Sequence, residues 1–234
     1  MSNGLVTCEI RDNVAVIQMD DGKVNALSYD MLAALNDALD TAEAEAKALV
    51  LVGRPGRFCA GFDLKAMTES PASAVRLLTA GCDVFMRLYG FDLPVVIASS
   101  GHAIAGGALL TLCGDYRVGV EGEFKYGLNE VAIKMPLPIL GVELARDRLA
   151  KHALNSATLG AKLFDPTEAV DAGYLDLVVP PEHLLTASLK VAEGLGQYDR
   201  HAFSQTKQRL RGSIIAHILD TLEEDMSSFA SRGL

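Results

Sequence analysis

The sequence predicts an α/β fold with parallel strand pairing. Two observations predict it. Short continuous apolar runs, ALVLV at 48–52 and PVVIASS at 94–100, read as strands covered on both faces. Around them lie longer stretches whose apolar residues recur at three and four, the spacing of one helix face. Strands alternating with helices fit parallel pairing through crossover connections.

The elements follow in order. LVTCEI and VAVIQM read as a β-hairpin, joined by RDN with turn-favouring Asp12 and Asn13. Residues 28–45 read as a helix: Ser28 suits the N-cap, and Met31, Leu32, Leu35, Ala38, Leu39 and Ala42 share one face. After the strand at 48–52, residues 72–90 are helical, and 94–100 is the next strand. AGGALLTLC, 105–113, starts another helix, and YRVGV, 116–120, is a strand. In DPTEAVDAGYLDLVV, 165–179, Asp165 caps, Pro166 takes the first helical position and Glu168 the third, a capping-box spacing. Gly173 suits the left-handed end of that helix, and LDLVV reads as a strand. From about 195 onward only helical patterns occur. The apolar face of IIAHILDTLEEDM, 214–226, must pack on its own core or on a neighbouring subunit.

Composition excludes several classes. Half of the 234 residues are apolar and 22% are charged, as in globular proteins. The net charge of −9 argues against nucleic acid, which is bound by basic patches. No window offers ~18 uninterrupted apolar residues, so no membrane span is expected. The first residues lack a basic segment followed by an apolar one, so no signal peptide is expected. Cys8, Cys59, Cys82 and Cys113 are far apart without CxxC spacing, which fits free thiols in a reducing cytoplasm and no zinc. There is no GxSxG elbow and no GxGxxG fingerprint. Cys59 lacks a positioned histidine, and His102 reads as a packed core residue.

Two stretches carry the chemistry. In RPGRFCAGFDLKAM, 54–67, an apolar strand has ended and Gly61 stands between small and aromatic residues. In SGHAIAGGALLTLCGD, 100–115, a strand ends and Gly106-Gly107 opens a helix. Each site can bring a backbone N–H into a space left clear by glycine, and the second has a helix dipole behind it. Two such donors aimed at one carbonyl oxygen would form an oxyanion hole; the plainer alternative is close packing or tight turns.

Together with KVNALS (23–28), RFCAGFDL (57–64), YGLNEVAI (126–133), the 165–179 segment and SQTKQRLR (204–211), these stretches resemble the crotonase superfamily of enoyl-CoA hydratases and isomerases. The resemblance runs from the hairpin to about residue 212. It implies a crotonase-like spiral of repeated ββα units over 1–195. It also implies a C-terminal helical region, 196–234, that makes subunit contacts in a homotrimer or dimer of trimers. The oxyanion donors would be the N–H groups of Phe62 and Gly106, acting on the thioester carbonyl of an acyl-CoA. Only the backbone of Phe62 is required, so its bulk is no obstacle. Substrate contacts would come from Ala26, Leu27, Ala60, Asp63, Leu64 and Lys65, with Gly107 and Leu109 beside the second donor. Arg57, Lys65 and Arg54 could offset the CoA phosphates. No separate cofactor is implied, because the CoA thioester is the substrate.

The resemblance assigns Glu130, in GLNEV, the proton chemistry. Desolvation would raise its pKa towards neutral and suit it to exchange protons. Two-acid hydratases carry a second glutamate where this chain has Leu109. A single carboxylate favours moving a double bond from the 3- to the 2-position, with one group taking a proton at C2 and returning it at C4. Hydration of a 2-enoyl-CoA is the alternative, and a non-catalytic acyl-CoA binder is the reading from another class. A second departure is IKMPLPILG, 133–141, where many relatives are richer in glycine.

Overall fold

The computed structural model describes residues 4–231, with no account of side chains beyond 227. The hairpin is β1 (Val6–Arg11) and β2 (Val14–Met19), and its turn uses positive φ at Asp12 and Asn13. Helix α1 (Tyr29–Glu45) starts where Ser28 accepts a hydrogen bond from the Met31 N–H at 3.2 Å. The six apolar residues expected on its inner face are all buried. Each buried leucine there contributes on the order of 2 kcal/mol.

Three successive turns of chain then each supply two strands. The pairs are β3 (Ala48–Val52) with β4 (Gly56–Cys59), β5 (Val95–Ser99) with β6 (Gly101–Ile104), and β7 (Tyr116–Val120) with β8 (Tyr126–Gly127). The first strand of each pair joins a six-stranded sheet in the order β1-β2-β3-β5-β7-β9, where β9 is Leu177–Val179. The second joins a three-stranded sheet, β4-β6-β8, parallel throughout. Between turns lie α2 (Leu64–Glu69), α3 (Pro71–Tyr89) and α4 (Gly106–Leu112). This is the ββα spiral that the resemblance implied. The small sheet was not foreseen, and neither was α2.

The later helices are α5 (Ile139–Arg148), α6 (Leu154–Ala157), α7 (Pro166–Ala172), α8 (Leu184–Leu195) and α9 (Arg200–Ser231). Both halves of the α7 capping box form, and Gly173 ends that helix at φ 89°. Helix α9 lies along α3 and α5 of its own chain. Ile218 and Met226 are buried there, with Ile214, Ile215 and Leu222 packed beside them. Of the two partners open to the apolar face at 214–226, it packs on the chain's own core.

A buried ionic latch holds α9 in place. The Lys207 ammonium donates to Phe91 O (2.8 Å), Leu93 O (2.9 Å) and the Asp115 carboxylate (2.6 Å). Arg211 pairs with the other Asp115 oxygen at 2.9 Å and donates to Tyr89 O. Asp115 also accepts from the Val95 N–H. Burial pulls the Lys207 pKa down to about 8.

Candidate active site

The three-stranded sheet positions the site. Its strands are adjacent and parallel, so their C-terminal ends lie side by side. Phe62 follows β4, Gly106 follows β6 and Glu130 follows β8. Ligand sites of parallel α/β sheets commonly sit at such carboxyl ends.

Local hydrogen bonds orient the first segment. The Leu27 N–H donates to Gly61 O (2.8 Å) and the Asp63 N–H to Leu27 O (3.2 Å). That pattern uses the groups on either side of Phe62 and turns its own N–H to the opposite side. The Phe62 ring packs inward, 5.9 Å from Phe85 between centroids. A Cβ on Gly81 of α3 would lie 2.3 Å from the ring edge. Gly61 has φ +98°, and a Cβ there would stand 3.3 Å from the Gly106 nitrogen. The two glycine segments therefore meet. Ala105, before Gly106, holds φ 52° and ψ −122°, a strained geometry for a residue with a Cβ.

A cavity of ≈ 490 Å³ opens over this junction, lined by Phe62, Ala105, Gly106, Leu109, Asn129 and Glu130 and walled by apolar side chains. Glu130 is 7% exposed, and its Oε2 has no hydrogen-bond partner among the described residues. Burial raises its pKa from 4.5 to about 7. Among the described residues that line the cavity, Glu130 is the sole carboxylate. Leu109 fills the position where a second acid was considered. Burial raises the pKa of the Tyr174 phenol, and the charge of Glu130 adds to the effect.

A second depression of ≈ 410 Å³ adjoins the first through Ala60, Phe62 and Leu64. Ala26, Asp63 and Lys65 line it, with Lys23. Asp63 also caps α2, accepting from the Ala66 N–H at 2.8 Å. Leu64 stands 75% exposed at the junction.

Four residues expected at the site line neither space. The Leu27 side chain is fully buried and backs Gly106, so only its main chain faces the Gly61 segment. Gly107 is seated under the strand end, where a Cβ would come 2.0 Å from Cys59 O; it serves packing and lines neither space. Arg57 points to solvent and lines neither space, and Arg54 is tied to Lys23 O and Asp20. Cys59 is buried, with its thiol pushed up to about 12, and His102 accepts from the Lys125 N–H while packing on Phe124.

Sequence reasoning missed the groove's scaffold. Asp21 accepts from the Lys23, Asn25 and Ala26 N–H groups. Buried Asn25, at φ 53°, donates to Met19 O and Phe58 O. The available signal was an Asp four residues before an Asn, in a turn between strand and helix. Among the described residues, no group of three or more His, Cys, Asp or Glu could hold a metal, and no helix is long and apolar enough to cross a membrane.

Spiral and site together define a crotonase-fold enzyme. A family model described as enoyl-CoA hydratase/isomerase matches residues 9–231. A crystal structure of an enoyl-CoA hydratase/isomerase family protein from Pseudomonas syringae superposes with TM-score 0.92, at 40% identity and full coverage of both chains. The human mitochondrial delta3-delta2-enoyl-CoA isomerase superposes with TM-score 0.92 at 30% identity, over 97% of this chain and 91% of that one. A putative enoyl-CoA hydratase from Thermus thermophilus is 32% identical over 207 residues, 86% of this chain and 81% of that protein. The chain belongs to the enoyl-CoA hydratase/isomerase family and is an enzyme of that kind.

Proposed function

We propose that the enzyme converts 3-enoyl-CoA to 2-enoyl-CoA. The observation that carries this reading is that Glu130, buried, is the sole carboxylate among the described residues lining the cavity, with Leu109 in the same lining. The ionised Glu130 removes a proton from C2 of the substrate. The electron pair moves into the thioester, giving a dienolate whose oxygen accepts hydrogen bonds from the Phe62 and Gly106 N–H groups. Protonated Glu130 then delivers its proton to C4, leaving the double bond between C2 and C3. A pKa of about 7 suits a group that must both take and return a proton near neutral pH. CoA itself lies along the depression at Ala26, Ala60, Asp63, Leu64 and Lys65, where Lys23 and Lys65 face its phosphates.

Hydration of 2-enoyl-CoA is the second reading. Asn129 Oδ1, beside Glu130, is buried without a hydrogen-bond partner and could accept from a water. A panel of 2-enoyl-, 3-enoyl- and 3-hydroxyacyl-CoA esters separates the two, since hydration adds the mass of water and isomerisation adds none. A 3-hydroxy product from 2-enoyl-CoA, with no interconversion of the enoyl esters, would replace the first reading by the second.

Two further results are expected. A saturated acyl-CoA at a hundred times its Kd should stabilise the protein by ~2.7 kcal/mol, with free CoA giving less because it lacks the carbonyl. Absence of any thermal shift with acyl-CoA would remove the binding site. Gly61→Ala should lower turnover by ~10²–10³, as loss of one oxyanion donor does, because its Cβ crowds the Gly106 N–H. Turnover within threefold of wild type would count against the Gly106 N–H as a donor.

The proposed setting is cytoplasmic, and the proposed assembly is a homotrimer or dimer of trimers. Leu210 and Leu219 on the outer side of α9 are available for such contacts. Light scattering showing a stable monomer at micromolar concentration would count against it.

A further inference from the structure

We propose that α9 forms the end wall of the acyl cavity at Leu222 and Met226, and that these two residues set the longest acyl chain the enzyme accepts. The inference rests on the acyl-CoA reading of the site and adds to it the class of acyl group.

The layout of the two spaces gives the direction. The groove and the cavity share Ala60, Phe62 and Leu64, so a ligand held in the groove enters the cavity there. Phe62 lines both spaces, and Gly106 and Glu130 line the cavity beyond it. Leu222 and Met226 line the cavity and take no part in the groove, which places them on the acyl side. Met226 is buried, and it faces a lining shared with Leu78 and Cys82 of α3 and Leu140 of α5. Apart from Glu130, Asn129 and Thr68, that lining offers an acyl chain no polar side chain beyond a thiol. A hydroxylated or charged acyl tail would lose its water there without replacement.

Volume sets the length. A water-sized group takes about 30 Å³ in a liquid, so a space of ≈ 490 Å³ holds on the order of sixteen such groups, several of them taken by the thioester end. The acyl group is therefore apolar and about eight to twelve carbons long. Shorter chains leave part of the cavity unfilled, and longer ones meet α9.

The test is a binding series read by thermal shift, using saturated acyl-CoAs of four to sixteen carbons, with product analysis on the matching 3-enoyl-CoAs. Affinity should rise roughly tenfold for each two carbons up to about ten or twelve, then level or fall. Met226→Trp, which fills the end of the cavity, should lower the twelve-to-four-carbon affinity ratio at least tenfold. Leu222→Ala, which enlarges it, should raise the sixteen-to-ten-carbon ratio. The second variant decides the matter if the tryptophan variant does not fold. Affinity independent of chain length, or a variant that shifts all lengths equally, overturns the inference. A length cut-off that moves with these variants, without turnover of any 3-enoyl-CoA, upholds the wall and rejects the isomerase reading.

Discussion

Glu130→Gln should fold, bind acyl-CoA and lose isomerisation by ~10²–10⁴, the usual contribution of a general acid–base group. The amide keeps the shape of the side chain but cannot take the C2 proton. The same residue fixes the pH dependence. In the free wild-type enzyme kcat/KM should rise with pH through about 7 and then level, because the base acts ionised. Stability should move the other way. The folded state holds the Glu130 proton up to about pH 7, while the unfolded chain releases it near 4.5. Between those values the folded state binds more protons, so stability falls as pH rises. The shift corresponds to about 3 kcal/mol lost at pH 8 and nothing lost below pH 4. Glu130→Gln should therefore melt higher than wild type at pH 8, with the difference vanishing in acid. Full turnover by a folded Glu130→Gln protein would reject the mechanism outright.

Asp115→Ala should cost ~3–5 kcal/mol, because it leaves Lys207 and Arg211 without their counter-charge in a buried place. For a chain of this size that is a fall in Tm of roughly 10 °C. The change also removes the acceptor of the Val95 N–H at the start of β5. Lys207→Met should cost less, since Arg211 still faces Asp115 and an apolar chain suits the site. Because α9 carries part of the cavity lining, the destabilised variant should also lose acyl-CoA affinity before it loses its sheets. A melting point within 2 °C of wild type would show that the Asp115 ion pairs do not hold α9 in place.

The parts legible in the sequence were those written in local chemistry. Ser28 and Asp165 announce their helices through caps, Asp12-Asn13 announces a hairpin, and the inner face of α1 follows from spacing alone. The three-stranded sheet left no such mark. Its strands are four, four and two residues long, too short for a period, and their pairing is purely tertiary. The glycine motifs nonetheless located two of its three ends, and the resemblance supplied Glu130. Leu27, Gly107 and Arg57 line neither space because a motif gives neighbourhood without direction: one faces the core, one packs on a carbonyl and one faces water. The apolar face of 214–226 fitted either of two partners, and only folding decides between them.

Gly81 ties the history of two distant positions together. Its hydrogen faces the Phe62 ring so closely that a larger residue there would drive the ring out of place. Phe62 could become small without such harm, and Gly81 would then be free to become alanine, a better helix former. Substitution in the opposite order passes through a damaged protein. Lineages of this enzyme should therefore show the aromatic lost first and the glycine second, and pairs that combine a bulky side chain at both positions should be missing.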